Sequence, residues 1–170
     1  MSDDTKQLDK PMRPGEIALS FDPAEQPADA GVVFIGRIRT PWTDRKDCPR
    51  NTAPSLATGA EGTIEIDAPY RPGLKGLERA SHIFILYWMD QSRRDLIVQN
   101  PGHSDGPRGV FSLRSPARPN PIALARVEVT GIDIEAGTIG IRGMDCLDGT
   151  PLVDLKPYMA SNDTEASSGK

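Results

Sequence analysis

The chain has 170 residues, 37% of them apolar and 26% charged, with a formal net charge of −4 at pH 7. A chain of this size and balance builds one ordinary hydrophobic core, and no apolar run approaches the ~20 residues of a membrane-spanning helix. The only cysteines, Cys48 and Cys146, sit in no CxxC pair and beside no histidine, so the expectation is no metal site and two reduced thiols in the cytoplasm.

The first thirty residues carry seven acids against three bases and are punctuated by Pro11, Pro14, Pro23 and Pro27. They read as an acidic, mobile arm, with no secretory signal behind the charged opening. Residues 159–170 read as a flexible tail. Between them, residues 31–158 form the predicted domain, which is nearly neutral. Its positive charges are thirteen arginines and only three lysines. Arginine offers a flat bidentate fork to carboxylate or phosphate, so a polyanionic partner is compatible with this stretch, although bulk charge does not demand one.

In chain order, VVFIGRIR (32–39) alternates and stops before Pro41, which predicts a strand. EGTIEID (61–67) alternates with Ile64 and Ile66 on one face. LKGLERAS (74–81) reads as a short helix. HIFILYWMD (82–90) is a continuous apolar run, as expected of a strand buried on both faces, and QSRRDLI (91–97) reads as a second short helix. GVFSLR (109–114), PIALARVEVT (121–130) and TIGIRG (138–143) complete the strands, the last two joined through Asp-Ile-Glu-Ala-Gly. The prediction is a mainly β fold, a closed or nearly closed antiparallel barrel with short helices and long rim loops. An open α+β sheet is the rival. No strand-GxGxxG-helix unit, phosphate-binding GxxxxGK loop, HExxH or GxSxG elbow is present, so a site on such a barrel has to come from its rim loops.

Three polar, proline-rich segments are the candidates. The first is Asp47-Cys48-Pro49-Arg50-Asn51. The second runs from Gly109 to Pro121, where Pro116, Pro119 and Pro121 stiffen the backbone and preset Arg114, Arg118 and Asn120. By itself it reads equally as a rigid barrel corner. The third, Asp145 to Tyr158, contains the ready turn Asp148-Gly149-Thr150-Pro151 and, beyond it, Asp154 and Lys156 on one strand face. The carboxylate of Asp148 suits ribose hydroxyls or an exocyclic amine. His82 and His103 read as structural hydrogen-bonding groups. PGHSDGPRG (101–109) reads as a flexible loop that closes over a ligand. Trp42, Tyr87 and Trp88 are large enough to stack a base, although Trp88 lies in a core-like run.

Together IGRIRTPW (35–42), CPRN (48–51), GLERASHIFILYWM (76–89), GVFSLRSPARPNPIALARVEV (109–129) and DCLDGTPLVDLKPY (145–158) resemble the TsaA-like (TrmO-type) family, in the family's order and rough spacing. The resemblance implies a β-barrel homodimer that uses S-adenosylmethionine to methylate N6-threonylcarbamoyladenosine in tRNA. A small-molecule methyltransferase and a non-catalytic S-adenosylmethionine-binding regulator are the alternatives on the same scaffold. It implies cofactor contacts from Arg50, Asn51, Met89, Asp90, Arg114, Leu124, Asp148, Gly149, Thr150 and Pro151. Asn51 stands where the family usually has glutamine, and Asp90 where better-known bacterial members have histidine. Arg118, Asn120 and Lys156 are the expected substrate contacts, and Asp148, Asp154 and Tyr158 the candidate bases. Many bacterial relatives continue into a second small domain beyond the KPY motif; if that domain helps grip tRNA, the expectation here is grip from the dimer surface alone, or another substrate. A local patch of Arg93, Arg94, Arg108 and Arg118 is expected to supply its phosphate contacts.

Overall fold

The computed structural model describes residues 11–102 and 104–164, so His103, the first ten residues and the last six lie outside it. The chain divides into two compact units, one of Val33–Tyr87 with Leu124–Lys170, the other of Met1–Val32 with Trp88–Ala123. No helix among the described residues is long and apolar enough to cross a membrane.

Among the described residues there are nine strands and two short α-helices: β1 (Ile17–Ala18), β2 (Gly36–Arg39), α1 (Thr52–Ala57), β3 (Glu61–Ile66), β4 (His82–Trp88), β5 (Leu96–Gln99), β6 (Arg108–Gly109), β7 (Ile122–Asp133), β8 (Thr138–Arg142), β9 (Thr150–Pro157) and α2 (Ala160–Asp163). Six of the strands close a barrel in the order β2-β3-β8-β7-β4-β9. The predicted closed antiparallel barrel is therefore present, and the open-sheet rival is not.

Alternation fills the barrel. Ile38, Ile64, Ile83, Ile85, Ile139, Ile141 and Leu152 are fully buried, with Val127 almost so. Successive strand residues point to opposite faces, so each strand contributes its inward set and leaves Arg37, Arg39, Glu65 and Arg126 outside. β-branched isoleucine suits both the strand backbone and a small interior. Ile64 and Ile66 share the buried face as expected. The apolar run of β4 differs from expectation: Ile83, Ile85 and Tyr87 are buried, but His82, Phe84, Leu86 and Trp88 are half-buried. It is a barrel strand with one inner face, not a strand sealed on both.

Two local devices shape the wall. Gly36 faces Ile66 across β2 and β3, and a Cβ there would lie 2.0 Å from the Glu65 carbonyl oxygen. At the β7–β8 turn the Asp133 carboxylate accepts the Ala136 N–H at 2.9 Å, and Gly137, with φ +73°, donates its N–H to the Asp133 carbonyl. This is the hairpin that Asp-Ile-Glu-Ala-Gly predicts.

In the other unit β5 lies between β1 and β6, antiparallel to both. Three predicted elements are corrected. The expected helix over 91–97 is a turn followed by β5. Arg93 and Asp95 grip each other two residues apart, a spacing that does not bring side chains together on a helix. The expected strand over 109–114 is only the end of β6 followed by a 3-10 turn, Val110–Ser112, whose Val110 side chain is fully buried. The expected helix over 74–81 is two 3-10 pieces, Ala68–Leu74 and Leu77–Arg79. Near the N-terminus, Glu16 accepts the backbone N–H groups of Arg13 and Asn100, and Leu19 N–H donates to the Asp95 carbonyl.

Candidate functional site

In the barrel unit, residues 144–149 join β8 to β9 outside the strand ladders, so their carbonyls need other donors. Each of the first four has one. Met144 accepts from Ser55 Oγ at 2.6 Å and Trp42 Nε1 at 3.4 Å. Asp145 accepts from the Cys48 thiol at 3.2 Å, Cys146 from Thr40 Oγ1 at 2.9 Å, and Leu147 from Thr150 Oγ1 at 2.7 Å. Cys48 and Ser55 flank Arg50 and Asn51, so these bonds tie the first candidate segment to the third. The Trp42 indole N–H is engaged in this network.

The predicted Asp148-Gly149 turn forms. Gly149 adopts φ +78°, which glycine takes without strain, and its N–H donates to the Ile38 carbonyl at 2.9 Å. Asp148 N–H donates to the Trp42 carbonyl at 2.7 Å, Thr40 N–H donates back to Asp148 Oδ1 at 3.1 Å, and Arg39 lies 3.6 Å from Oδ2. These contacts leave acceptor capacity on the partly exposed carboxylate, since an ionised carboxylate has about four lone-pair sites. Gly149 O accepts from Arg37 at 3.3 Å. Arg50 and Asn51 are exposed, and among the described residues their side chains form no hydrogen bond or ion pair. Leu124, on the outward face of β7 next to Ile122, is 55% exposed.

Beneath this end lies a buried cluster. The Tyr87 hydroxyl donates to Asp145 Oδ1 at 3.5 Å. Burial pushes the Tyr87 hydroxyl and the Asp145 carboxyl above their ordinary ranges, and does the same to the Cys48 thiol. Cys146 is pushed up to about 12 by burial. Both thiols are buried, and Cys48 is a hydrogen-bond donor to the Asp145 carbonyl. Among the described residues no group of His, Cys, Asp and Glu is arranged to hold a metal ion.

The three candidate bases do not share one place. Tyr158 follows β9, whereas Asp148 precedes it, and the eight residues of β9 alone span roughly 26 Å at about 3.3 Å each. Tyr158 instead stacks under Arg126, whose guanidinium carbon is 4.9 Å from the ring centre, and its ring meets Phe84 edge-on at 5.8 Å. Asp154 is ion-paired to Lys156 at 2.8 Å, so the expected substrate cation Lys156 is already partnered. His82 contacts Ser81 Oγ at 3.2 Å, and its ring meets Tyr158 edge-on at 6.2 Å.

In the other unit the Gly109–Pro121 segment is organised from within. Arg118 donates to the carbonyls of Ser115 at 2.9 Å, Val110 at 3.0 Å and Leu113 at 2.5 Å. Arg94 donates to the Pro119 carbonyl at 2.5 Å and to Asn120 Oδ1 at 3.3 Å, and lies over the Trp88 ring at 5.7 Å. Gln99, buried on β5, supplies the Ala117 carbonyl. Arg114 is exposed and, among the described residues, forms no hydrogen bond or ion pair. Met89 and Asp90 follow β4, and Met89 N–H donates to the Pro121 carbonyl at 2.9 Å. Three members of the expected phosphate-binding patch already have partners within the chain. Arg94 and Arg118 are committed to the loop, and Arg93 to Asp95 at 2.6 Å, with side chains only 10% and 15% exposed. Of that patch Arg108 alone is an exposed arginine.

The Arg93–Asp95 pair carries a pH signature. The Arg93 guanidinium holds the Asp95 carboxyl below its usual range. A depressed carboxylate contributes stability that is present above the unfolded value of about 4 and lost as pH falls through the folded one. Arg93→Met is therefore expected to cost about 3 kcal/mol at neutral pH and to flatten the acid limb below about pH 4. Urea melts of both proteins across pH 2–7 check this, and parallel limbs would contradict it.

Sequence reasoning missed Thr40, Ser55 and Gln99, the side chains that supply loop carbonyls. Only the polar Gln99 in the otherwise apolar Leu96–Gln99 run carries any signal of such a role.

Comparison with known proteins agrees with this architecture. The family model of the tRNA-methyltransferase O N-terminal domain matches residues 37–164. The probable S-adenosyl-L-methionine-binding protein VirR of Rhizobium radiobacter is 43% identical over 146 residues, covering 86% of this chain and 79% of that protein. The tRNA (adenine(37)-N6)-methyltransferase of Escherichia coli (strain K12) is 35% identical over 133 residues, covering 74% of this chain and 56% of that protein. The crystal structure of TrmO from Pseudomonas aeruginosa superposes with a TM-score of 0.64 at 31% identity, covering 84% of this chain and 62% of that one. The chain thus spans 56% of the Escherichia coli methyltransferase and 62% of the TrmO chain. On the family match and the shared barrel, the chain belongs to the tRNA-methyltransferase O N-terminal domain family.

Proposed function

We propose that this chain is an S-adenosylmethionine-dependent methyltransferase acting on N6 of N6-threonylcarbamoyladenosine in tRNA. The observation that carries the reading is the family match across residues 37–164. The donor set fits the cofactor's chemistry. Asp148 keeps free acceptor capacity for ribose hydroxyls, Leu124 offers an apolar surface for a base, and Arg50 and Arg114 are exposed cations without partners among the described residues. Asn51, Met89, Asp90, Gly149, Thr150 and Pro151 complete the proposed cofactor contacts. The Thr150 hydroxyl donates its proton to the Leu147 carbonyl, so it meets a ligand only as an acceptor.

The bound cofactor supplies a methyl group activated on a sulfonium centre. The protein's own part is to hold the acceptor nitrogen in line and to take its proton, and positioning alone accounts for much of such a rate. Asp148 is the base we favour. The Thr40 N–H fixes its carboxylate, and the other two candidates lie further along β9 or beyond its far end. Asn120 remains a substrate contact through its amide nitrogen, since only its carbonyl oxygen serves Arg94. Phosphate contacts come from exposed arginines such as Arg108 rather than from Arg93, Arg94 or Arg118. The working form is a homodimer in the cytoplasm. Ile122 and Leu124, exposed side by side on one strand face, support a covered surface there.

One observation favours a second reading, S-adenosylmethionine binding with a different acceptor or none. VirR, of which this chain covers 79%, is named only as a probable binding protein, whereas the chain covers 56% of the tRNA methyltransferase. Incubation with methyl-labelled S-adenosylmethionine and bulk tRNA separates the two. The proposal expects label in tRNA. Label confined to a small-molecule fraction, or donor binding without transfer, supports the second reading.

A further inference from the structure

The Gly109–Pro121 segment has an unusual hydrogen-bonding problem. Pro116, Pro119 and Pro121 have no N–H to give, and beyond Gly109 the segment joins no sheet until β7. Its carbonyls nevertheless have donors, and these are side chains: Arg118 for Val110, Leu113 and Ser115, Gln99 for Ala117, and Arg94 for Pro119. A guanidinium carries five N–H groups in a fixed plane, so one Arg118 side chain gathers three carbonyls that span six residues. Arg114 sits in the middle of that arc. Its own guanidinium has no partner among the described residues, and its backbone is held on both sides by the carbonyls of Leu113 and Ser115.

We propose that Arg118 is a positioning residue: it does not touch substrate, but moulds the loop from within so that Arg114 is presented to the cofactor. Arg94 secures the far end of the same loop, anchored over Trp88. This inference rests on the S-adenosylmethionine reading above and changes the expected part of Arg118 from direct substrate contact to support. Lysine cannot replace such a fork, because it concentrates its donors at one point. Held in place, Arg114 loses less freedom on binding, and that is where affinity is gained.

A double-mutant cycle tests it, with the full chain and S-adenosylhomocysteine as the calorimetric probe. Arg118→Lys is chosen because it keeps charge and part of the hydrogen bonding; Arg118→Ala serves as the harsher variant, with thermal melts confirming that each protein is folded. Arg118→Lys is expected to weaken probe binding roughly tenfold when Arg114 is present, and by less than about twofold in the Arg114→Ala background. Equal factors in both backgrounds would overturn the inference, since Arg118 would then act independently of Arg114. Absence of probe binding to the unaltered protein would overturn the cofactor reading and this inference with it. Binding with equal factors overturns only the inference.

Discussion

Arg114→Ala is expected to weaken S-adenosylmethionine binding by roughly ten- to a hundredfold while leaving the melting temperature almost unchanged. A hydrogen bond to a charged group contributes about 1.5–3 kcal/mol, which converts to that range of affinity. The unchanged stability follows from the side chain's position. Arg114 is exposed and bonds to no described neighbour, and substitutions at such places stay within about 0.5 kcal/mol. Calorimetry paired with thermal melts checks both halves. Unaltered affinity in a folded variant would remove Arg114 from the cofactor site. Loss of stability together with affinity would show that the residue holds the loop instead of serving the ligand.

Gly36→Ala is expected to destabilise the barrel by about 3 kcal/mol or more, the upper range for overpacking. The added Cβ would meet the Glu65 carbonyl oxygen at 2.0 Å, and that oxygen belongs to the paired strand's backbone, which cannot turn aside as a long side chain does. β2 also pairs with β9 through Gly36, Arg37 and Ile38. Pushing it off β3 therefore disturbs the strand that carries Thr150 and Pro151. Cofactor affinity should fall along with stability, unlike the Arg114 variant. Urea denaturation with an unchanged midpoint would contradict the close approach of β2 and β3.

The barrel was legible because its signal is local. Ile64 and Ile66, or Ile139 and Ile141, declare an inward face by period alone, and the hairpin at Asp133–Gly137 announces itself by composition. The rims were less legible because their order comes from contacts distant in sequence. Nothing near Ser55 says that its hydroxyl will meet the Met144 carbonyl, 89 residues away. The arginines were the hardest to read. In sequence Arg114 and Arg118 look alike, two preset forks in a proline-rich loop. In the structure one is exposed and the other is consumed by three carbonyls of its own loop. The same ambiguity applies to Arg93 and Arg94, whose charge suggested a phosphate patch but whose partners are Asp95, Pro119 and Asn120. A motif identifies the family; it does not separate the side chains that touch a ligand from those that hold the others in place. The length of β9 separates Asp148 from Tyr158, two members of one motif at opposite ends of a strand.

The central claim, methyl transfer to a tRNA nucleoside, is tested most directly by mass spectrometry of tRNA hydrolysates from cells with and without this chain. N6-methylated N6-threonylcarbamoyladenosine is expected in the first and absent from the second, with the unmethylated nucleoside rising correspondingly. Equal amounts of the methylated nucleoside in both would contradict the claim.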